Sequence, residues 1–185
     1  MTQSRLDLEA DCWAFALQIY AQPGVADACL RLQDEAGVDV MMSLATVFAA
    51  VRHRVLMTPS EIGELDDVCR PWREQIVQPL RAIRTRLKGG PLPAPGHATE
   101  PFRSTIKAAE LAAERLQNRL LAERLPLRAP ERDNVTAEDL RGVLHGVVTL
   151  ALERRPGRQL SDLLSPIDVI IEAATRESVY RNFTP

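Results

Sequence analysis

Residues 13–40, WAFALQIYAQPGVADACLRLQDEAGVDV, constrain the fold more than any other stretch of this chain. Two helix-length apolar patterns meet there at a Pro23-Gly24 corner. Stepping 100° per residue over residues 6–21 puts Leu8, Cys12, Phe15 and Ile19 on one side, and Leu6, Trp13, Leu17 and Tyr20 on another. Only Asp7, Asp11 and Gln18 form a polar strip, so this helix is expected to be a central one. The second pattern stacks Val25, Cys29, Leu32 and Ala36 on one face and Asp27, Arg31 and Asp34 on the other. Gly37 suits a left-handed stop, and Asp39 an N-cap for a third helix over residues 40–55.

Further start signals follow. Met57-Thr58-Pro59-Ser60-Glu61-Ile62 combines a capping Thr, Pro at the first helical position, Glu three residues after the cap, and Met57 and Ile62 as a hydrophobic staple. This predicts a helix from Pro59 to about Cys69, with Arg70-Pro71 starting another that runs to Lys88 and kinks at Pro79. Residues 89–101, GGPLPAPGHATEP, read as a linker. Beyond it, Phe102, Ile106, Ala109, Ala113, Leu116 and Leu120 make one apolar stripe of a helix ending near Arg124. Val135-Thr136 with Asp139 and Leu140 opens a helix to about Glu153, and Ser165-Pro166-Ile167-Asp168 opens the last, ending near residue 180. No period-2 alternation is visible. The expectation is an all-α compact bundle of seven to eight helices: a helical core over 1–88, the Pro/Gly linker 89–101, and C-terminal helices over 102–185 packed on that core.

Aromatic residues are only 4% of the chain, so its core must come from Leu, Val, Ile and Ala, which agrees with helices. The longest uncharged apolar run, Val40–Val51, is about half of the roughly 20 residues that a membrane span needs. The opening MTQSRLDLEAD lacks an apolar signal region, and Cys12, Cys29 and Cys69 lack CxxC spacing; both point to reduced thiols and a cytoplasmic location. Basic residues are Arg apart from Lys88 and Lys107, a bias that fits either planar anion recognition or an Arg- and Ala-rich genome. Charge is uneven: residues 1–49 hold two basic and seven acidic groups (net −5), and residues 50–88 hold eight and five (net +3).

The run Trp13-x-Phe15-x-Leu17-x-x-Tyr20-x-x-Pro23-Gly24-Val25, continued by Ala28-Cys29-Leu30-x-Leu32-Gln33-Asp34-x-x-Gly37-x-Asp39-Val40, resembles an uncharacterised family of small proteobacterial all-α proteins. Pro71-Trp72-Arg73, running on to Pro79-Leu80-Arg81, is similar too. The resemblance covers roughly Trp13 to Lys88. It departs at Met41, where the family usually has Asn after the Asp-Val pair. It implies a bacterial cytoplasmic protein and supplies no activity, substrate or catalytic residue.

Reaction chemistry is sparse. Cys29 falls on the apolar face of its helix without a nearby His, as a packed thiol does. His53, His97 and His145 have no ligand-spaced partner. Gly89-Gly90 lacks the strand and GK[ST] of a phosphate loop. Asp7 with Asp11, and Asp168 with Glu172, each set two carboxylates one helical turn apart. That spacing supports an alternative as a small Mg²⁺-dependent diphosphate-binding enzyme. The strongest charged feature is the 70–88 helix, where Arg70, Arg73, Arg81, Arg84 and Lys88 share a sector of about 80° opposite Trp72, Ile76, Leu80 and Ile83. The reading that follows is a non-catalytic helical protein–protein interaction or self-associating protein, using those five cations toward an acidic partner, without a cofactor. A nucleic-acid role ranks below it, since the pI is about 6.0 and the basic face has no aromatic interleaving.

Overall fold

The computed structural model describes residues 5–130, 132–155 and 157–182. The helices are α1 (Arg5–Tyr20), α2 (Val25–Ala36), α3 (Val40–His53), α4 (Pro59–Trp72), α5 (Gln78–Arg86), α6 (Glu100–Arg124), α7 (Ala137–Arg154) and α8 (Leu164–Asn182). A π turn, Arg73–Val77, joins α4 to α5 without a break, so the described residues form seven helical rods and no strand. A 3₁₀ turn, Leu160–Leu163, leads directly into α8. No helix among the described residues is long and apolar enough to cross a membrane. The side chain of Leu6 lies outside the described residues.

The punctuation acts as its chemistry dictates. Gly24 (φ 81°) and Gly37 (φ 71°) take the left-handed conformation at the two ends of α2. The Asp39 carboxylate accepts from the Met42 N–H at the start of α3. Thr58 with Glu61, and Thr136 with Asp139, form reciprocal capping boxes. Arg54, at φ 55°, closes α3 where no glycine is available.

Three expectations need correction. First, the helix does not restart at Arg70-Pro71, because Pro71 lies inside α4. The backbone keeps right-handed helical angles at Trp72 and Gln78 and widens between them, with the Gln78 N–H donating to the Arg73 carbonyl. This wide turn ends just before Pro79, which has no N–H to donate and falls in the first turn of α5.

Second, the central helix is α3 rather than α1. Every residue from Met42 to Ala50 is buried, as suits a helix without charge over its whole middle. Helices α1, α6, α7 and α8 surround it, and Phe15 of α1 meets Phe48 of α3 edge-on at 5.6 Å. In α1 the Cys12, Phe15 and Ile19 side faces this core, while Leu17 and Tyr20 are exposed.

Third, α6 is rotated by about a quarter turn from the orientation that its apolar stripe predicts. Phe102 and Leu116 are each 54% exposed, whereas Glu110, Gln117 and Asn118 are buried. The inward face is polar because three other elements supply its partners: Arg81 and Arg84 hold Glu110, Asp39 accepts from Gln117, and the Glu9 carbonyl accepts from Asn118. Residues 87–99 run in turns between α5 and α6, with Ala94 buried. Residues of α6, α7 and α8, among them Leu121, Leu144 and Ile170, belong to the same apolar core as those of α1–α4.

The capping boxes give a pH-dependent prediction. Partial burial opposes charge on Glu61, but hydrogen bonds from Thr58 and the Arg128 charge outweigh it and hold its pKa below the usual value. Hydrogen bonds from Thr136 lower that of Asp139. The contribution of both boxes is therefore complete above the usual carboxylate range and is lost as pH falls through the lowered values. Thr58→Ala and Thr136→Ala should each cost about 1 kcal/mol at neutral pH and less at the acid end, in urea unfolding followed by circular dichroism.

Candidate functional site

An open groove of about 1240 Å³ lies between α1, α2, the α4–α5 rod, α6 and the C-terminal end of α7. Its walls carry Leu17, Tyr20, Leu30 and Leu111, all substantially exposed. Its floor is a network of buried charged groups. The start of α3 places Asp39 there, and the second turn of α4 places Asp66 one residue after the buried Leu65. The π turn aims Arg73 between them: Nη1 donates to Asp39 Oδ2 at 2.9 Å and to Asp66 Oδ1 at 2.7 Å. Gln117 of α6 donates to the same Asp39 oxygen at 2.5 Å, and Arg154 of α7 donates to Asp66. Burial disfavours the charged form of Arg73, but the two carboxylates outweigh it and raise its pKa further.

A second network adjoins the first. Arg81 donates from Nε to Glu110 at 3.0 Å and lies 3.5 Å from Glu114 through Nη2. Arg84 grips both Glu110 oxygens, its Nη2 at 3.1 Å and its Nε on the other oxygen. The hydrogen bonds to Glu110 raise the Arg84 pKa. Desolvation raises that of Glu114, and the Arg81 charge only partly offsets it.

The five cations of the sector therefore occupy four environments. Arg73 is buried between two acids. Arg81 and Arg84 converge on Glu110, and Arg70 pairs with Asp67 and lies 3.9 Å from Asp66. Lys88 is exposed in the turn after α5, without an ion pair among the described residues. The acids of this arrangement, Asp66, Glu110 and Glu114, had no signal in hydrophobic periodicity, and Asp39 was legible only as a cap. One signal was available: Glu110, Glu114 and Gln117 recur at i, i+4 and i+7, a polar helix face beside an arginine-rich one.

The two carboxylate pairs are not brought together. Asp7 and Asp11 lie exposed on α1, while Asp168 receives Arg141 at 3.1 Å. Among the described residues no group of three or more His, Cys, Asp or Glu side chains is placed to hold a metal. Cys12, Cys29 and Cys69 are free and buried, and desolvation pushes each thiol up to about 12. A thiolate is correspondingly scarce at neutral pH. His145 keeps Nε2 buried without a partner.

Removing the centre of the first network should be costly. Arg73→Met leaves Asp39 and Asp66 short of a buried partner and should destabilise the fold by about 3–5 kcal/mol. Lys88→Met should stay within about 0.5 kcal/mol of the parent. Urea unfolding at neutral pH compares the two.

A family model for proteins of unknown function, DUF2390, matches residues 11–121, which is more than half of the chain. The match begins in α1, crosses the 89–101 segment and ends within α6, so it takes in Asp39, Asp66, Arg73, Glu110 and Gln117. No curated protein and no solved structure matches the chain. The chain belongs to the DUF2390 family of proteins of unknown function.

Proposed function

We propose that this chain is a non-catalytic helical interaction protein whose groove docks an acidic, amphipathic segment of a protein partner. One observation carries the reading: exposed apolar side chains and unpaired cations line the same groove. Leu17, Tyr20, Leu30 and Leu111 offer apolar area that no element of this chain covers. Arg86, Lys107 and Arg155 line the same groove and have no ion pair among the described residues. The acids of the floor are already engaged by Arg73, Arg81, Arg84 and Arg154, and at the rim the unpaired Arg86, Lys107 and Arg155 outnumber the exposed Asp34 and Glu74, which leaves a positive excess. A segment with apolar residues on one face and carboxylates on the other meets both requirements. The five-cation sector enters this reading divided: Arg73, Arg81 and Arg84 line the groove, while Arg70, paired with Asp67, and Lys88 do not.

Two labelled helical probe peptides test it, one with Leu on one face and Glu on the other, and one with Lys in place of Glu. The Glu peptide should bind with a dissociation constant on the order of 10 µM, weakening as salt screens the rim. Arg86→Glu combined with Lys107→Glu should weaken it about tenfold, leave the melting temperature nearly unchanged, and reverse the preference between the peptides. Leu17→Asp should abolish binding. Equal binding of both peptides, or of neither, would overturn the reading.

A further inference from the structure

The α5 wall of the groove buries no side chain. From residue 78 to residue 109 only Ala94 is buried, and the first buried residue of α6 is Glu110. Leu80 and Leu87 are only partly buried, and Ile83 is 45% exposed. This segment therefore lacks the apolar anchoring that holds α1–α4 and the second half of α6 in the core. The rod also changes character where α5 begins. The π turn replaces the ordinary helical hydrogen bonds over residues 73–77, and Pro79 offers no N–H. Beyond α5, the turns of residues 87–99 close on themselves. The Ala94 N–H donates to the Pro91 carbonyl at 2.9 Å, and the Thr99 N–H to that of Gly96 at 3.0 Å. The atoms that crowd Gly90 and Gly96 are carbonyl oxygens of the same turns, those of Ala94 and Pro93.

The strongest tie between α5 and the body is Glu110. This carboxylate is 4% exposed and accepts from Arg81 Nε at 3.0 Å and Arg84 Nη2 at 3.1 Å, while Arg84 Nε takes its other oxygen. The Arg81 and Arg84 side chains are 23% and 18% exposed, so water can solvate both guanidiniums once α5 moves off. We infer that α5 and the turns after it, residues 78–99, form a movable wall of the groove, latched on α6 by Glu110 and hinged at the π turn. Opening leaves the apolar core intact, since no residue of that core travels with the wall. A nine-residue helix without buried side chains does not hold its own hydrogen bonds, so the opened wall frays. The effect on binding rests on the proposed docking of an acidic segment. Gln78, Ala82, Thr85 and Arg86 line the groove from α5, while Leu17 and Tyr20 line it from α1. An occupant that touches both sides binds the closed wall better than the open one and shifts the population toward it.

Amide hydrogen exchange of the free full chain tests the inference. Residues 78–86 should exchange at least about a hundredfold faster than residues 42–50 of α3, which open only with the whole fold. Glu110→Gln keeps the side-chain shape and removes the charge. It should speed exchange at 78–86 about tenfold and leave residues 42–50 unchanged. Arg84→Gln breaks the latch from its more exposed side and should act in the same direction. Glu100→Gln, which removes the exposed partner of Arg103, should change nothing at 78–86. Saturation with the Glu-faced probe peptide should slow exchange at 78–86 in the parent. Three results would overturn the inference: parent residues 78–86 protected as well as 42–50, latch variants that leave 78–86 unchanged or lose protection in every helix alike, or a bound peptide without effect there. A peptide that does not bind overturns the groove reading alone, because exchange in the free chain still decides whether the wall moves.

Discussion

The Asp39 carboxylate holds more of this molecule in register than any other group. One oxygen caps α3 through the Met42 N–H, and the other receives both Arg73 from the π turn and Gln117 from α6. Through Arg73 the network continues to Asp66 of α4 and from there to Arg154 at the end of α7. Four elements distant in sequence thus meet at one buried point. Such a network disfavours other arrangements of the helices, because any shift in register leaves an ionised group buried without a partner.

The same network decides which charges remain for function. A sequence with five cations in one helical sector looks like a displayed basic face. Folding draws Arg73 inward and spends Arg81 and Arg84 on Glu110, so the cations left at the groove rim are Arg86, Lys107 and Arg155. These come from three different elements, and only the fold assembles them beside Leu17, Tyr20, Leu30 and Leu111. The polar inward face of α6 has a second consequence. It turns Phe102, Ala109 and Leu116 outward, while Ala113 stays buried and Leu120 packs against the core.

Local chemistry was legible in the sequence wherever a single residue type has a single use. Gly37 as a left-handed stop, Asp39 as a cap, and the Thr58 and Thr136 boxes all stand in the structure. The all-helical class followed from the same signals. What escaped was everything that depends on a distant partner. Hydrophobic periodicity assumes that the inward face is apolar, so it misplaced α6, whose inward Glu110 and Gln117 are satisfied only by residues of other helices. It also favoured α1 as the central helix, because it cannot tell an apolar side that meets the core from one that lines a groove. Pro71 did not mark a start: it lies inside α4, and the five-residue π turn Arg73–Val77 carries the rod on into α5 without a break. The floor acids had no motif, since an ion network is defined by three-dimensional proximity and not by spacing.

The central claim is that Arg70, Arg73, Arg81 and Arg84 are partnered within their own chain. A double-mutant cycle between Arg73→Met and Asp66→Leu, read by urea unfolding, measures it most directly. The network described here predicts a coupling energy of at least about 1 kcal/mol, because each single change takes a partner from a buried charge that the double change removes as well. Additivity within about 0.5 kcal/mol would contradict it and return Arg73 to the solvent-facing sector.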